Sequence, residues 1–313
     1  MDPSPPGAAE PVDIVGPFRS GPPRVPSAGP PALPDGGIEA LGVTGPVRVW
    51  EQRWVKPGSE VWRLVTEDGA RWLKLTHAVL APDVGGSGDG AGDLAGERAR
   101  LDWIERQLTG VEGAPATPHV VGFASDPLDG RAWLVTTEVG GVPAHDPGLR
   151  MGSIERMLDG IGAGLRLLHD VLPVDGCPFD HRQDGLLASA TRRLARGGIR
   201  DDAGGPAYDR LDPAAKVAYA ERIRPEEPAA DLVVAHGDPC LPNLLVDPAT
   251  GRLVGLVDMG RLGVSDRHRD LAIVLRSFVA SFGGEHAWRI LEAYGHPGDA
   301  QRLEFHVLLD DLW

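Results

Sequence analysis

Cysteine is nearly missing: Cys177 and Cys240 are the only 2 in 313 residues, far apart and in no C-x-x-C pair. Neither a disulfide framework nor the paired thiolates of a structural zinc site can be built from them, and a reducing compartment fits. Long apolar runs are missing too. No stretch approaches the roughly 18 residues of a membrane span, and the N-terminus has no basic region followed by an apolar core. A cytoplasmic protein is expected. Positive charge is in deficit, with 31 Lys and Arg against 45 Asp and Glu, a net charge of −14. Nucleic acid and anionic membrane surfaces are therefore poor partners and a cationic small molecule a good one, while nothing implies an obligate protein partner. There is no H-E-x-x-H, and the histidines are scattered, which argues against a catalytic zinc.

What is present suffices for a large core: 33.2 kDa, with 42% hydrophobic and 24% charged residues. The 42 glycines and 29 prolines are locally concentrated. Residues 1–45 mix Pro, Gly and Ala with no period of two or of 3.6, and a disordered tail is expected there. From Pro46 short strand-like runs follow, PVRVWEQRWV, VWRLVT and RWLKL, the last two joined by an Asp68-Gly69 turn. The glycine-rich residues 81–96 lack both G-x-x-x-x-G-K-[ST] and a strand-G-x-G-x-x-G-helix frame, so they read as a connector.

In LAGERARLDWIERQL, Leu94, Leu101, Ile104 and Leu108 fall at helical spacing, and Glu97 lies on the same stripe. A carboxylate facing inward needs a partner. Lys74, in the otherwise apolar strand RWLKL, is the candidate. Either residue alone is better explained by a solvated Glu97 at the edge of the stripe or a snorkelling Lys74. Strands around HVVGFA and AWLVTTE complete an N-lobe of residues 46–139.

Residues 140–313 read as a second, mainly helical lobe. Ser153 is expected to cap a helix carrying Ile154, Leu158, Ile161, Leu165 and Leu168. Residues 175–225 read as loop-rich and acidic, DLVVAH as a buried strand, and LLVDPATGRLVGLVD as two short strands around a turn. Ser265 is expected to cap DRHRDLAIVLRSF, with EHAWRILEAY and AQRLEFHVLLDDLW closing the chain.

The densest signal is His236-Gly237-Asp238-Pro-Cys-Leu-Pro-Asn243, followed after the two short strands by Asp258. Phosphoryl transfer from ATP asks for such a set: a carboxylate to accept the hydroxyl proton, an amide oxygen and a second carboxylate for Mg²⁺, and a lysine on the phosphates. Asp238 is then the base, Asn243 and Asp258 the metal ligands, Lys74 the phosphate contact and Glu97 its orienting partner. Taken singly, His236 could be a turn residue bonded to backbone, Asn243 an Asx-turn residue and Asp258 a strand-end cap.

VVAHGDPCLPNLLVD followed by GLVDMGRLGVSDRHRDLAI resembles the signature of the aminoglycoside O-phosphotransferases, most of all the 3'- and 3''-phosphotransferases. The likeness extends to LAGERARLDWI, AWLVTTEVGGVPA, CPFDH and LLDDLW. It implies an α+β, bilobal protein-kinase-like fold: a small antiparallel-sheet N-lobe with one key helix, a larger helical C-lobe, and ATP between them. It also implies adenine hydrogen bonds on the hinge backbone at Thr137 and Val139. Arg261 and Arg276 match arginines near the site, Asp270 a brace on the catalytic loop, and His236 a structural support. The nucleotide loop falls on WVKPGSEVW, shortened, with Gly58 or Ser59 over the phosphates. The acidic substrate side falls on Asp310, Asp311 and the carboxylate of Trp313, with Asp201, Asp202 and Asp209 as further candidates.

The expected function is ATP- and Mg²⁺-dependent phosphorylation of a kanamycin- or neomycin-type aminoglycoside at its 3'-hydroxyl, conferring resistance. A streptomycin 3''-phosphotransferase is the alternative within the class, then a kinase for choline, homoserine or a producer's own antibiotic. A non-catalytic kinase-fold protein is disfavoured by intact Lys74, Asp238, Asn243 and Asp258, and an unrelated acidic binding module would show no nucleotide binding.

Overall fold

Alternation of large apolar and polar residues builds the first lobe. The computed structural model describes residues 30–56, 58–77, 93–146, 148–149, 151–199, 208 and 211–312. Strands β1 (Val49–Lys56), β2 (Ser59–Thr66), β3 (Gly69–Thr76), β4 (Val120–Ser125) and β5 (Ala132–Thr137) form one antiparallel sheet in the order β1-β2-β3-β5-β4. The period of two sends Trp62, Leu64, Leu73, Leu75, Trp133 and Val135 to one buried cluster. Lys74, between Leu73 and Leu75, takes the opposite face, where α1 (Leu94–Leu108) packs with Leu94, Leu101 and Ile104 buried. The Asp93 side chain caps α1 by accepting from the Gly96 N–H at 2.8 Å.

The tail expected through residue 45 is shorter than that in the described part. Ile38, Leu41 and Val43 are buried against the outer face of the sheet, and the Trp133 indole donates to the Ala32 carbonyl at 2.9 Å. The reason is that face itself, which carries Trp50, Trp62 and Trp133 and is covered, among the described residues, by this segment. Gly122 permits the approach, since a Cβ there would stand 2.1 Å from the Leu41 carbonyl oxygen. Residues 1–29 and 81–92 lie outside the described residues.

The second lobe packs α2 (Met151–Val171), α5 (His268–Phe282) and α6 (Trp288–Tyr294) around two small antiparallel sheets. One pairs β7 (Leu232–Ala235) with β10 (Gly263–Asp266); the other runs β6 (Val142–Pro143), β8 (Leu244–Val246), β9 (Leu253–Leu256). Within residues 175–225, expected to be loop-rich, the chain forms α3 (Gln183–Ala195) and α4 (Pro213–Ile223). Leu186, Leu187, Ala190, Val217 and Ala220 give these helices an apolar side that packs on α7 (Ala300–Asp311) in a satellite core. Neither serine cap forms as expected. Helix α2 begins at Met151, before Ser153, and Ser265 is a buried residue of β10, so the next carboxylate, Asp266, accepts from the His268 N–H at 2.9 Å.

One buried histidine in α7 makes stability depend on pH. His306 is 1% exposed, and neither ring nitrogen has a hydrogen-bond partner among the described residues. Burial first, then the charges of Arg269, His268 and Arg302, bring its pKa down to about 3 against the pull of Asp266. An unfolded histidine takes up its proton near pH 6.5, so between there and pH 3 the unfolded chain binds more protons. Stability should fall as the pH drops through that window, by at most about 1.4 kcal/mol per pH unit. Thermal melts between pH 6.5 and 4 check this: the slope should shrink in His306→Leu, and an undiminished slope would place the acid sensitivity elsewhere.

Candidate active site

The cleft between the lobes collects residues far apart in sequence. Lys74 Nζ donates to Glu97 Oε1 at 2.5 Å and to Asp258 Oδ1 at 2.7 Å. Register explains the first contact: Lys74, paired with Val61 and Leu134, is the residue of β3 that faces α1. The second depends on β9, which carries the chain to Asp258. There the backbone enters the left-handed region at φ 61°, ψ 58°, a conformation costing about 1–2 kcal/mol for a residue with a side chain. Burial works against a charged Lys74, but the Asp258 and Glu97 carboxylates outweigh it and raise its pKa. Reciprocally the Lys74 charge draws the Asp258 carboxyl down to about 2.

The catalytic-loop candidates follow β7. The Asp238 N–H donates to His236 Nδ1 at 3.2 Å, and His236 Nε2 lies 3.1 Å from the Val257 carbonyl, a pair of contacts that requires the Nε2–H tautomer. Asn243 donates its amide to the Asp238 carbonyl at 2.9 Å, and its own carbonyl accepts from the Val257 N–H at 3.0 Å. The loop and the strand leading to Asp258 are thereby tied together. Asp270, fully buried on α5, accepts from the N–H groups of His236 at 2.7 Å and Gly237 at 2.8 Å. Burial pushes the Asp238 carboxyl above the usual range, and the Asp310 and Asp258 charges add to this against Arg261.

On the far side Arg261 Nη1 reaches Asp310 Oδ1 at 2.8 Å and stands 3.7 Å from Asp238 Oδ2. Arg276 bonds Asp310 and, at 2.7 Å, Asp311. Two acids at the C-terminal end of α7 oppose the helix dipole, and the two arginines offset that. The acidic element is thus present but carried in an ion-pair chain rather than as solvated carboxylates. Trp313, Asp201, Asp202 and Asp209 lie outside the described residues.

At the hinge the Thr137 N–H is committed to the His119 carbonyl at 2.9 Å, whereas the Val139 N–H has no hydrogen-bond acceptor among the described residues. Ser59 is buried at the start of β2, two residues before the partner of Lys74. Several contributors are not evident from motifs. Arg63 grips Glu138 of the hinge at 2.6 and 3.2 Å. His169 of α2 donates to Asp270 at 3.0 Å and is itself held by the Tyr294 hydroxyl at 2.7 Å. His181, within the quoted CPFDH run, holds the Arg261 carbonyl at 2.8 Å. Arg269 donates to the Gly237 carbonyl at 3.2 Å. The RDLA run, which places Arg269 beside Asp270, and the CPFDH run, which ends on His181, carried what signal there was for these.

Asp258 and Asn243 offer one carboxylate and one amide oxygen, the hard donors that suit Mg²⁺ when phosphate oxygens and water complete its shell. Among the described residues no group of three or more His, Cys, Asp or Glu is placed to hold a metal ion. No helix is long and apolar enough to cross a membrane among those residues.

A two-lobed chain whose lysine, paired carboxylates and loop aspartate converge in this way is a phosphotransferase by class. The model of the phosphotransferase enzyme family matches residues 57–306, and the chain belongs to that family, as an enzyme of the kinase type with a nucleotide co-substrate and a hydroxyl acceptor. It is 40% identical over 237 residues to an aminoglycoside 3'-phosphotransferase of Streptomyces fradiae, covering 71% of this chain and 80% of that one. It is 35% identical over 263 residues to a streptomycin 3''-kinase of Streptomyces griseus, covering 80% and 92%. The solved structure of the aminoglycoside phosphotransferase APH(3'')-Id from Streptomyces rimosus, in complex with ADP and streptomycin, superposes with a TM-score of 0.66 at 27% identity, covering 84% and 92%.

Proposed function

We propose that this protein transfers the γ-phosphate of ATP to the 3'-hydroxyl of a kanamycin- or neomycin-type aminoglycoside and so confers resistance to it. The observation that carries the reading is the convergence of Lys74, Glu97, Asp258, Asn243 and Asp238 on one cleft, in a chain 40% identical to a 3'-phosphotransferase. Asp238 orients the acceptor hydroxyl and takes its proton, and a carboxyl raised above its usual range is better matched to that task. Lys74, held by Glu97, turns from Asp258 to the nucleotide phosphates. Asn243 and Asp258 would hold Mg²⁺, which, when bound, neutralises charge on the phosphate oxygens.

Thr137 and Val139 receive the adenine, and Ser59 covers the phosphates. Arg261, Arg276, Asp310, Asp311 and the Trp313 carboxylate form the acceptor side, where ammonium groups meet carboxylates. His236 and Asp270 support the loop. The lobes divide near residue 140, and a cytoplasmic location follows from the need for ATP. Phosphorylation of streptomycin at its 3'' position is the second reading, supported by the 35% identity to the Streptomyces griseus kinase.

An ADP-release assay with Mg-ATP against kanamycin, neomycin, streptomycin, choline and homoserine separates these. Turnover with kanamycin or neomycin is the expected result. Turnover with streptomycin alone would move the assignment to 3'', and choline or homoserine turnover would reject an aminoglycoside acceptor.

A further inference from the structure

We propose that Arg269 is a positioning residue for this reaction: its guanidinium fixes the peptide plane between Gly237 and Asp238, and so the direction in which the Asp238 carboxylate projects. The inference rests on the reading of Asp238 as proton acceptor and adds a residue from outside the catalytic loop.

The turn that presents Asp238 is sharply constrained. Gly237 sits at φ +85°, a region that side chains avoid, and a Cβ there would stand 2.0 Å from the Arg261 carbonyl oxygen. Asp270 takes the N–H groups of His236 and Gly237. Two groups then remain at the next peptide. Its N–H, that of Asp238, donates to His236 Nδ1 at 3.2 Å, and its carbonyl, that of Gly237, accepts from Arg269 Nε at 3.2 Å. A peptide group is planar, so holding both ends fixes its plane, and the Asp238 Cα is bonded directly to it.

Arg269 is an expensive residue to keep for packing alone. It is 4% exposed, and its Nη1 has no hydrogen-bond acceptor among the described residues. Burial and the nearby Arg261 charge bring its pKa down to about 10, with Asp310, Asp270 and Asp238 acting in the opposite sense. It lines an interior gap with Leu186, Ile273, Leu309, His306 and Asp310, where a buried cation carries a desolvation cost that an apolar side chain of similar size would not. What the cation supplies is a donor to the Gly237 carbonyl. Successive residues on a helix point about 100° apart. One dipeptide in the first turn of α5 therefore reaches both polarities of the turn, Asp270 its N–H groups and Arg269 its carbonyl.

Steady-state kinetics of Arg269→Met and Arg269→Lys test the inference, with melting temperature and ATP affinity measured alongside. Arg269→Met should lower kcat at least ten-fold with the KM for ATP changed less than two-fold. Arg269→Lys, which keeps charge but displaces the donor, should fall between, three-fold or more below wild type. Wild-type kcat in Arg269→Met, or a loss of kcat matched by an equal loss of ATP affinity, overturns it. Should Arg269→Met not fold, Arg269→Lys decides: wild-type kcat in that variant overturns the inference, and a three-fold or larger loss at constant KM supports it. Asp238→Asn run in parallel separates the two claims. Turnover retained there refutes the base itself, whereas an inactive Asp238→Asn beside a fully active Arg269→Met refutes only the positioning role.

Discussion

Asp238→Asn is expected to lower kcat by about 10³-fold, some 4 kcal/mol of barrier, while Mg-ATP affinity changes no more than a few fold. The amide keeps the shape of the carboxylate but cannot accept the proton of the incoming hydroxyl. Nucleotide affinity should survive because Lys74, Glu97 and Asp258 form a contact set of their own, tied to the loop through Asn243 and Val257 rather than through the Asp238 carboxylate. Single-turnover kinetics with nucleotide titration check both halves. If the loss lay in the KM for ATP with kcat unchanged, the carboxylate would be a binding group and the proton acceptor would have to be sought elsewhere.

Asp270→Ala should be the most damaging change to stability, about 3–5 kcal/mol, because the position is fully buried and three donors lose their acceptor together. Those donors are the N–H groups of His236 and Gly237 and the His169 ring. None can turn to water, since His236 and the His169 side chain are themselves buried. Urea denaturation of the two proteins measures the difference, and a loss under 1 kcal/mol would mean that the loop finds other acceptors. The sign with pH follows from the same contacts. Burial opposes ionisation of Asp270, but the hydrogen bonds from His169 and Gly237 and the histidine charges hold its pKa below the usual carboxylate value. Its contribution is complete above the unfolded pKa near 4 and is lost as the pH falls through the lower folded value. Asp270→Ala should therefore weaken acid sensitivity below pH 4 as well as overall stability.

Both changes act on one turn, and its construction shows where sequence reading ends. Lys74 and Glu97 were legible because each stood out against a local period, a charge in an apolar strand and an acid on an apolar helix stripe. Such periods are fixed by backbone geometry within a few residues. The run from His236 to Asn243 and the return to Asp258 were legible for a related reason: two short strands and a turn leave the chain few ways to double back. Arg276 and the pair Asp310 and Asp311 were each noticed singly, yet their junction joins α5 to α7, and no local rule brings together side chains 34 and 35 positions apart.

The same division runs through the fold. Local patterning located the five N-lobe strands and helix α1, but not the packing of residues 30–45, because Pro and Gly composition gives no account of the tryptophan-bearing sheet face awaiting a cover. Helices α3 and α4 were missed because their apolar positions acquire a partner only once α7 is in place. By itself, then, the sequence determined the two-lobed order of elements and singled out candidate groups of the types that phosphoryl transfer asks for, since those are matters of period and residue type. Tertiary structure alone decided which acid each arginine answers, how His169, Arg269 and Asp270 from two helices hold a single turn, and how far the Asp238 carboxyl is raised. Those depend on distance and burial, and in a folded chain both are set by residues remote in sequence.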